Sequence, residues 1–434
     1  MATVGKSWGR YPAARQSVVA VTDRHAGLPA TDGSMLPYGN GRSYGDSCLN
    51  DGGTLLYARG LNRYLSFDPN SGLLECEAGV LFSEILDLVV AQGWFLPVTP
   101  GTKFITVGGA IANDVHGKNH HKAGTFGRHV LAFELLRSDG SRRLCSPTEH
   151  PDWFAATIGG LGLTGLITWA RFQLRRIAGP WMSTEVHRFK DLAGFFRLSE
   201  ASDRDYEYTV AWIDCAAKGR ALGRGLFTRA NHAPARPDRR PAASTRRLGV
   251  PLVPPLSLIN PLSLRAFNTL YYHRQRQPVV HQTTHYEPHF YPLDGIGDWN
   301  RIYGPRGFLQ YQCVVPPAGA EACVEQLARM ISASGGGSFL AVLKQFGQLR
   351  SPGLLSFPRA GTTLALDFPN HGKTTLRLLD RLDEVVATAG GAIYPAKDAR
   401  MSGPLFRTCF PAWESFRPFV DPRFSSSFWR RVME

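Results

Sequence analysis

The sequence predicts an α+β protein of two domains followed by a C-terminal segment. A length of 434 residues is too great for one small core. Strand and helix patterns occur in both halves of the chain, and a proline-rich basic stretch interrupts the second half. We therefore predict a first domain over residues 1–178, a second over 179–390 with a mobile basic insertion at about 229–276, and a C-terminal segment over 391–434.

The first domain shows several strand patterns and one clear helix. Residues 81–94 repeat apolar side chains at helical spacing and meet a helix-ending glycine at Gly93. The pair Asp139 and Gly140 predicts a hairpin turn. The predicted strands are 17–22, 72–79, 133–140, 142–145 and 166–174, and we expect the first of them to be buried.

The second domain combines strands with two amphipathic helices, which favours an antiparallel sheet covered by helices. The stretch Leu248–Leu264 is apolar, but it contains too many prolines for a long helix. The predicted strands are 208–213, 307–315, 338–346 and 362–368, and the predicted helices are 321–331 and 375–389.

Composition excludes several classes of protein. No run reaches about 18 apolar residues, and the N-terminus has no apolar stretch typical of a secretory signal, so we expect a cytoplasmic protein. Seven scattered cysteines with no CxxC pair argue against a disulfide framework or a zinc site. His120 and His121 are adjacent but have no carboxylate or cysteine partners in their motif, so we predict no metal.

Positive charge is concentrated in one segment of a chain whose formal net charge is +14. Residues 218–276 hold twelve Lys and Arg residues and one acidic residue, Asp238. Such a run is typical of a surface that meets phosphate groups, nucleic acid or anionic lipid, or of a solvated loop. The apolar stretch beside it favours a lipid surface over nucleic acid.

Two glycine-rich segments, Tyr38–Asp46 and Pro100–His121, carry the clearest functional pattern. Glycine lets backbone amides converge on phosphate oxygens because no Cβ stands in the way. Neither segment matches the GxGxxG or GxxxxGK[ST] motifs, so a Rossmann site or a P-loop is not supported. Each segment alone is also compatible with a pair of tight turns.

The two segments together resemble the FAD-binding domain of the vanillyl-alcohol oxidase/p-cresol methylhydroxylase superfamily. The blocks Gly41–Asp46, Val107–Ala112, His116–Gly127, Asn300–Gln312 and Tyr394–Arg400 resemble, in order, the decaprenylphosphoryl-β-D-ribose 2'-oxidase family, the flavin subunit of a cell-wall epimerase. The resemblance spans nearly the whole chain. It implies the two-domain FAD-binding fold of that superfamily, with an antiparallel-sheet substrate domain.

The resemblance also implies which residues contact FAD. Many superfamily members attach the flavin covalently through a histidine in the first glycine loop, and Tyr44 takes that position here. We therefore predict non-covalent FAD. The implied cofactor residues are Tyr38, Gly39, Asn40, Gly41, Arg42, Ser43, Tyr44, Gly45, Asp46, Gly101, Thr106, Val107, Gly108, Gly109, Asn113, His116, Ile167 and Tyr394.

Flavin-dependent oxidation of an alcohol needs a base for the hydroxyl proton and a positive group beside the flavin. His116, Lys118, Lys344 and Lys397 are the candidates of the right chemical type, and Lys397 is the strongest because the resembled family has an essential lysine there. The predicted catalytic residues are Lys397, His116 and Tyr44, with a structural core histidine as the alternative for His116. Lys397 is expected to act either as a base with a lowered pKa or as a permanent charge, and a surface lysine paired with Asp398 is the alternative.

Further polar residues are candidates for binding the substrate. Gln310 and Gln312 share one face of a predicted strand, as do Lys344 and Phe346. The resembled family carries an asparagine and a cysteine where this chain has Thr363 and Ala365, which leaves the identity of the sugar open. The predicted substrate residues are Gln310, Gln312, Lys344, Phe346, Thr363, Ala365 and Lys118.

The resulting prediction is an FAD-dependent oxidase that converts a secondary sugar hydroxyl to a ketone. The resemblance implies the 2'-OH of a polyprenyl-phosphoryl pentose and a separate short-chain reductase partner that completes an epimerisation. The basic segment beside the apolar stretch predicts peripheral contact at the inner face of the membrane. Arg236, Arg239, Arg240, Arg246 and Arg247 are the expected membrane-facing cations. The alternatives are an alditol or aldonolactone oxidase and a non-catalytic flavin-binding subunit. No nucleic-acid partner is expected.

Overall fold

The computed structural model describes residues 4–235 and 248–434. These residues form one small parallel sheet, a five-stranded antiparallel sheet and an eight-stranded antiparallel sheet, with helices among them. The mixture confirms the predicted α+β class. Within the described ranges, no helix combines the length and the apolar character that crossing a bilayer requires.

The N-terminal region holds the parallel sheet, in strand order β1-β3-β2, and the five-stranded sheet, in order β4-β5-β9-β7-β8. The short strands β6 and β10 pair with each other. The elements are β1 Ser17–Ala20, β2 Met35–Tyr38, β3 Thr54–Tyr57, β4 Tyr64–Asp68, β5 Leu73–Glu77, α1 Phe82–Val89, β6 Trp94–Phe95, α2 Val107–Ala112, α3 His120–Ala123, β7 Val130–Leu136, β8 Arg142–Cys145, α4 Pro151–Thr157, β9 Leu166–Gln173 and β10 Arg175–Arg176.

One expectation for this region is wrong. The first strand was predicted to be buried, yet β1 lies at the edge of its sheet and Val18 is 42% exposed. A run of valines favours a strand, but it does not report which side of that strand is covered. The other predicted strands and the helix are present, and β7 and β8 form the predicted hairpin.

The eight-stranded sheet has the order β15-β11-β13-β12-β18-β19-β17-β20, and every neighbouring pair is antiparallel. The strands β14 and β16 form a separate parallel pair. The elements are β11 Trp181–Phe189, α5 Leu192–Asp203, β12 Tyr208–Ile213, β13 Gly225–His232, β14 Leu248–Gly249, α6 Pro261–His273, β15 Val279–His285, α7 Tyr286–Phe290, β16 Ile296–Gly297, β17 Phe308–Val315, α8 Ala320–Ser334, β18 Ala341–Phe346, β19 Gly361–Pro369, α9 Lys373–Thr388 and β20 Ala392–Ile393.

Helices α8 and α9 cover one face of this sheet. Leu327 and Leu379 belong to the same buried cluster as Leu364 and Leu366 of β19. Because side chains alternate along a strand, Ala365 faces the opposite side. That opposite face is therefore the one available for a site.

The C-terminal residues connect the two ends of the chain. After β20 the chain turns through Tyr394 and Lys397 and continues as α10 Gly403–Cys409, α11 Trp413–Phe416 and α12 Ser427–Met433. Arg431 of α12 pairs with Asp46 at 2.7 Å and with Asp398 at 2.9 Å. This charge network holds the Lys397 turn against the first glycine loop.

Part of the predicted basic insertion has regular structure. β13 extends to His232, and α6 begins at Pro261 because Asn260 caps it by accepting from the amides of Leu262 and Ser263. Pro261 occupies the first position of the helix, where a missing N–H costs nothing, and the other prolines of the apolar stretch precede it, so none of them breaks the helix. The expected membrane-facing cations, Arg236, Arg239, Arg240, Arg246 and Arg247, lie outside the described residues.

Candidate active site

A cavity of about 600 Å³ lies between the N-terminal glycine loops and the open face of the eight-stranded sheet. Its size falls within the range of about 300–1,000 Å³ that is usual for small-molecule sites. Both predicted glycine segments line it, together with residues of β17, β18 and β19 and the turn that holds Lys397. The cavity therefore brings together residues more than 350 positions apart, such as Tyr38 and Lys397.

The N-terminal wall is built mainly from backbone. Gly41 has a φ of +61°, which favours glycine, and a Cβ on Gly39 would lie 2.4 Å from Thr106 Oγ1. The two glycine segments therefore approach each other too closely for any side chain at Gly39. The same Thr106 Oγ1 accepts from the Gly109 amide at 3.1 Å and begins α2.

Polar side chains of this wall hold its backbone in place. Tyr38 Oη donates to the Lys6 carbonyl at 2.7 Å, and Asn40 Nδ2 donates to the Phe104 carbonyl at 2.7 Å. Asn113 Nδ2 donates to the Gly109 carbonyl at 2.8 Å. These bonds fix the loop shape before any ligand binds.

Arg42 shows that this wall suits a phosphate-bearing cofactor. Its guanidinium lies 4.0 Å from the centroid of the Trp8 ring, and its buried Nε has no hydrogen-bond partner among the described residues. Burial lowers the pKa of Arg42, opposed by the Asp294 carboxylate. A buried donor without an acceptor is costly, and a phosphate oxygen is the acceptor that a guanidinium prefers. The residues present therefore fit a dinucleotide such as FAD.

The opposite wall is a row of side chains on the open face of the sheet. Strand register places Gln310 opposite Asp367, Gln312 opposite Ala365, and Lys344 opposite Thr363. Gln310 Nε2 donates to Asp367 at 2.7 Å. Burial raises the pKa of Asp367 to about 6, although this bond and the nearby Lys397 favour the carboxylate.

His116 lies where the two walls meet. Its Nε2 is 2.9 Å from the Gln312 amide nitrogen, and its Nδ1 is 3.2 Å from Lys344 Nζ. Burial, and then the charge of Lys344, lower the pKa of His116 well below its ordinary range, so the ring is neutral. A neutral ring has only one accepting nitrogen. Gln312 and Lys344 therefore cannot both donate to the ring at once, and the nitrogen that carries the ring proton depends on the charge of Lys344.

Three lysines reach the cavity without forming an ion pair within the described ranges. Burial lowers the pKa of Lys118 to about 7, that of Lys344 to about 8 and that of Lys397 to about 7. Lys344 lowers the pKa of the other two, while Asp367 raises that of Lys397. Lys118 and Lys397 are therefore closer than Lys344 to a balance between their neutral and charged forms at neutral pH.

Lys397 is held against the first glycine loop. Its Nζ lies 3.8 Å from the centroid of the Tyr44 ring, and the Tyr44 amide donates to the Ala396 carbonyl at 2.9 Å. Asp398 instead pairs with Arg431 and accepts from the Arg400 and Met401 amides. The alternative of a surface Lys397 paired with Asp398 is therefore wrong.

Most of the predicted site residues line the cavity, and five do not. Gly45 lies against the Asp398 carbonyl, where a Cβ would come within 1.6 Å, and Asp46 pairs with Arg431. The remaining three support lining residues from behind. Val107 lies in the hydrophobic core, Phe346 packs 4.8 Å from the His116 ring, and Thr363 accepts from Gln312 at 3.2 Å.

The predicted residues that line the cavity come from both walls and from the Lys397 turn. Gly101 has no atom within 4 Å of an added Cβ and so faces open space. The Tyr394 hydroxyl donates to the Asn113 carbonyl at 3.0 Å, which joins the two walls. The lining members of the predicted set are Tyr38, Gly39, Asn40, Gly41, Arg42, Ser43, Tyr44, Gly101, Thr106, Gly108, Gly109, Asn113, His116, Lys118, Ile167, Gln310, Gln312, Lys344, Ala365, Tyr394 and Lys397.

Sequence reasoning missed two groups of lining residues. Trp8 and Asp294 belong to the wall around Arg42, and nothing in their local sequence marks them. The outer strands of the sheet add a second group that includes Val186, Trp212 and Thr228. Alternation along β11, β12 and β13 could have shown that such residues share a face, but not what that face covers.

Comparison with known proteins identifies the class of this site. A family model for an FAD binding domain matches residues 21–146. Over 98% of its length the chain is 36% identical to decaprenylphosphoryl-beta-D-ribose oxidase of Mycolicibacterium smegmatis, and the match covers 96% of that enzyme. It is 37% identical to an uncharacterised Streptomyces coelicolor protein over 81% of this chain and 100% of the other. Cytokinin dehydrogenase 8 of Oryza sativa is 32% identical over 31% of this chain and 26% of the relative.

The fold, the site and these matches define an FAD-dependent oxidoreductase of the p-cresol methylhydroxylase type, with FAD as its cofactor. The match to the first relative covers almost all of both proteins, not the cofactor domain alone. The chain belongs to the decaprenylphosphoryl-β-D-ribose oxidase family.

Proposed function

We propose that this enzyme oxidises the 2'-hydroxyl of a polyprenyl-phosphoryl pentose to a ketone, as the oxidase half of an epimerisation. One observation carries the proposal. The Lys397 amine, whose pKa burial lowers to about 7, lines the same cavity as the glycine loops suited to FAD. An amine with that pKa can accept a hydroxyl proton at neutral pH.

Bound FAD supplies the acceptor for the two electrons of the substrate C–H bond. The protein's own part is the proton: neutral Lys397 Nζ takes it from the hydroxyl oxygen as the carbonyl forms. Asp367, which interacts electrostatically with Lys397, favours the resulting ammonium form. The Tyr44 ring beneath Nζ stabilises the same charge and orients the side chain.

The other cavity residues suit an anionic sugar. Lys118 donates to the His289 carbonyl and keeps other N–H groups free to turn toward a phosphate.

Lys344 holds the neutral His116 ring, which in turn orients Gln312. Gln310, fixed by Asp367, offers an amide for a ring hydroxyl. A phosphate would pair with the protonated form of Lys118 or Lys344, whereas a neutral alditol brings no charge to them, which favours the phosphorylated substrate.

We also propose peripheral attachment to an anionic bilayer at the inner face of the membrane, with the ketone passing to a separate short-chain reductase. A leucine surface lies on α6 and on the stretch before it. Arg265, Arg274 and Arg276, in or just after α6, are exposed as well, and Arg274 also lines the cavity. Large apolar side chains left in water are typical of a contact surface. The leucine surface consists of Leu252, Leu256, Leu258, Leu262 and Leu270, which are 77%, 77%, 56%, 79% and 73% exposed.

Product analysis tests the proposed activity. Purified FAD-loaded enzyme is incubated with a polyprenyl-phosphoryl pentose, with the unphosphorylated pentose, and with an alditol. We expect a product that has lost two hydrogens from the phosphorylated substrate alone. Preferential oxidation of the alditol would support the aldonolactone-oxidase alternative, and no oxidation of any substrate would support a non-catalytic subunit.

Flotation with liposomes tests the attachment. We expect the protein to float with vesicles that contain anionic lipid at low salt, and a Leu262→Ser, Leu270→Ser double variant to stay at the bottom. A wild-type protein that fails to float under these conditions would contradict the attachment without affecting the proposed chemistry.

A further inference from the structure

The cavity continues beyond the lysines along the outer half of the sheet. Residues of β11, β12, β13 and β18 line this extension, and none of the lining residues from these strands outside Lys344 is ionisable. We call this extension the outer trough and define it by Val186, Val210, Trp212, Leu226, Thr228 and Val342. Its apolar character contrasts with the amines at the inner end.

Strand register makes the outer trough continuous with the inner site. Ala365 pairs with Val342, Val342 pairs with Trp212, and Trp212 pairs with Leu226. A parallel row runs from Val210 to Thr228 and on to Val186. Directly paired residues lie on the same face of a sheet, so both rows point into the cavity.

The outer trough ends at the surface beside α6. Tyr271 packs against Trp212 with ring centroids 4.6 Å apart, and Arg274 lies 3.9 Å from the centroid of the Tyr271 ring. Both Tyr271 and Arg274 line the cavity. Leu262 and Leu270 lie two helical turns apart on the exposed side of α6, so the trough opens next to the leucine surface.

We propose that the outer trough binds the hydrocarbon tail of the substrate and directs it from the phosphate at the lysines to the surface at α6. This inference rests on the proposed function and names the part of the substrate that the trough holds. Thr228 carries the one hydroxyl among the six residues that define the trough, so a sugar would find too few hydrogen-bond partners there, whereas burial of a hydrocarbon chain is favourable in proportion to its apolar area. The aromatic rings of Trp212 and Tyr271 can also pack against an unsaturated hydrocarbon chain.

Binding of sugar-free lipid phosphates tests the trough without requiring turnover. The dissociation constants of geranylgeranyl phosphate and dimethylallyl phosphate are measured by calorimetry on the FAD-loaded protein. We expect the longer tail to bind about tenfold tighter or more, because it alone fills the trough. Val186→Trp and Thr228→Trp, which narrow the trough, should remove most of that difference.

The matched control is His281→Trp, because His281 precedes the lining residue Gln282 on β15 and therefore points to the other face. We expect it to keep the wild-type preference, and FAD absorbance verifies that each variant is folded. Equal affinity of the wild-type protein for the two phosphates would overturn the proposal, as would a full preference in Val186→Trp. A failure of the enzyme to oxidise the sugar would instead count against the proposed function, since these affinities are measured without it.

Discussion

The two walls of the cavity are built in different ways. The N-terminal wall consists of tightly apposed backbone, with Gly39 against Thr106, and its main cation is the buried Arg42. The sheet wall consists of side chains, with Lys344 beside His116 and Gln310 beside Asp367. Burial shifts the pKa values of Lys344, His116 and Asp367 strongly. One wall is suited to hold a cofactor and the other to move protons.

This difference teaches that binding and chemistry depend on different physical features. A backbone cradle gains from close approach and needs no ionisation, whereas an acid or base needs a pKa near the working pH. Lys397 belongs to neither wall alone. Its turn follows β20 of the sheet, and its Nζ lies on the Tyr44 ring of the glycine loop.

The largest effect should come from removing the proton acceptor. We expect Lys397→Met to reduce kcat by about 10²–10⁴-fold, the usual contribution of a general base, while FAD remains bound. Steady-state kinetics with the polyprenyl-phosphoryl pentose measures the loss, and flavin absorbance measures cofactor content. Lys373→Met, an exposed change at the start of α9, is the control and should keep wild-type rates. A fully active Lys397→Met enzyme would place the base elsewhere.

The pH profile sharpens the same contrast. Because the pKa of Lys397 is lowered to about 7, the neutral, proton-accepting form is lost below that pH. We therefore expect kcat/KM to fall about tenfold per pH unit below pH 7 and to level off above it. In Lys397→Met the residual activity should lose this slope. A wild-type rate that rises as the pH falls would mean that Lys397 acts as a charge and not as a base.

A glycine substitution should affect the other wall. In Gly39→Ala the added Cβ would meet Thr106 Oγ1 at 2.4 Å. Overpacking usually costs about 1–3 kcal/mol of stability, and we expect the strained loop to shift and to weaken FAD binding by up to that amount. Gly27→Ala has no atom within 4 Å of the added Cβ and is the control. Titration of the apoprotein with FAD measures both. Equal affinities in the two variants would show that the approach of the two glycine segments does not shape the site.

The smallest effect concerns the wall position where Ala365 replaces the cysteine of the resembled family. We expect thiol-directed compounds to leave residues 360–370 unmodified, since no sulfur is present there, and Ala365→Cys to gain an adduct. Peptide mass spectrometry reads the site of modification and separates it from Cys48, which also lines the cavity. An adduct within residues 360–370 of the wild-type chain would contradict this account of the pocket.

The N-terminal wall was more predictable from sequence than the sheet wall. Gly39 and Gly41 indicate from the sequence alone where the backbone comes close to another group, because such a backbone has few alternatives to glycine. Nothing in the sequence around Lys344 or His116 shows that the two side chains meet. They lie 228 positions apart, and only the register of β18 within the sheet brings them together. Their assignment depended on resemblance to a family.

The outer strands show a further limit. Residues of β11 and β15 such as His187 and Gln282 are polar, so their segments do not show the apolar pattern of a buried strand. The outer trough was therefore missed, although its valines and threonines are ordinary strand residues. Edge strand β1 was found but placed wrongly in the core, because apolar content reports the tendency to form a strand and not its neighbours.

Anaerobic mixing of the FAD-loaded enzyme with a polyprenyl-phosphoryl pentose tests most directly whether one cavity unites the two walls. We predict that the visible absorbance of the bound flavin disappears with this substrate and persists with the same pentose lacking phosphate. Flavin absorbance that stays unchanged with the phosphorylated substrate would contradict the account, because the glycine loops and Lys397 would then not act on one molecule.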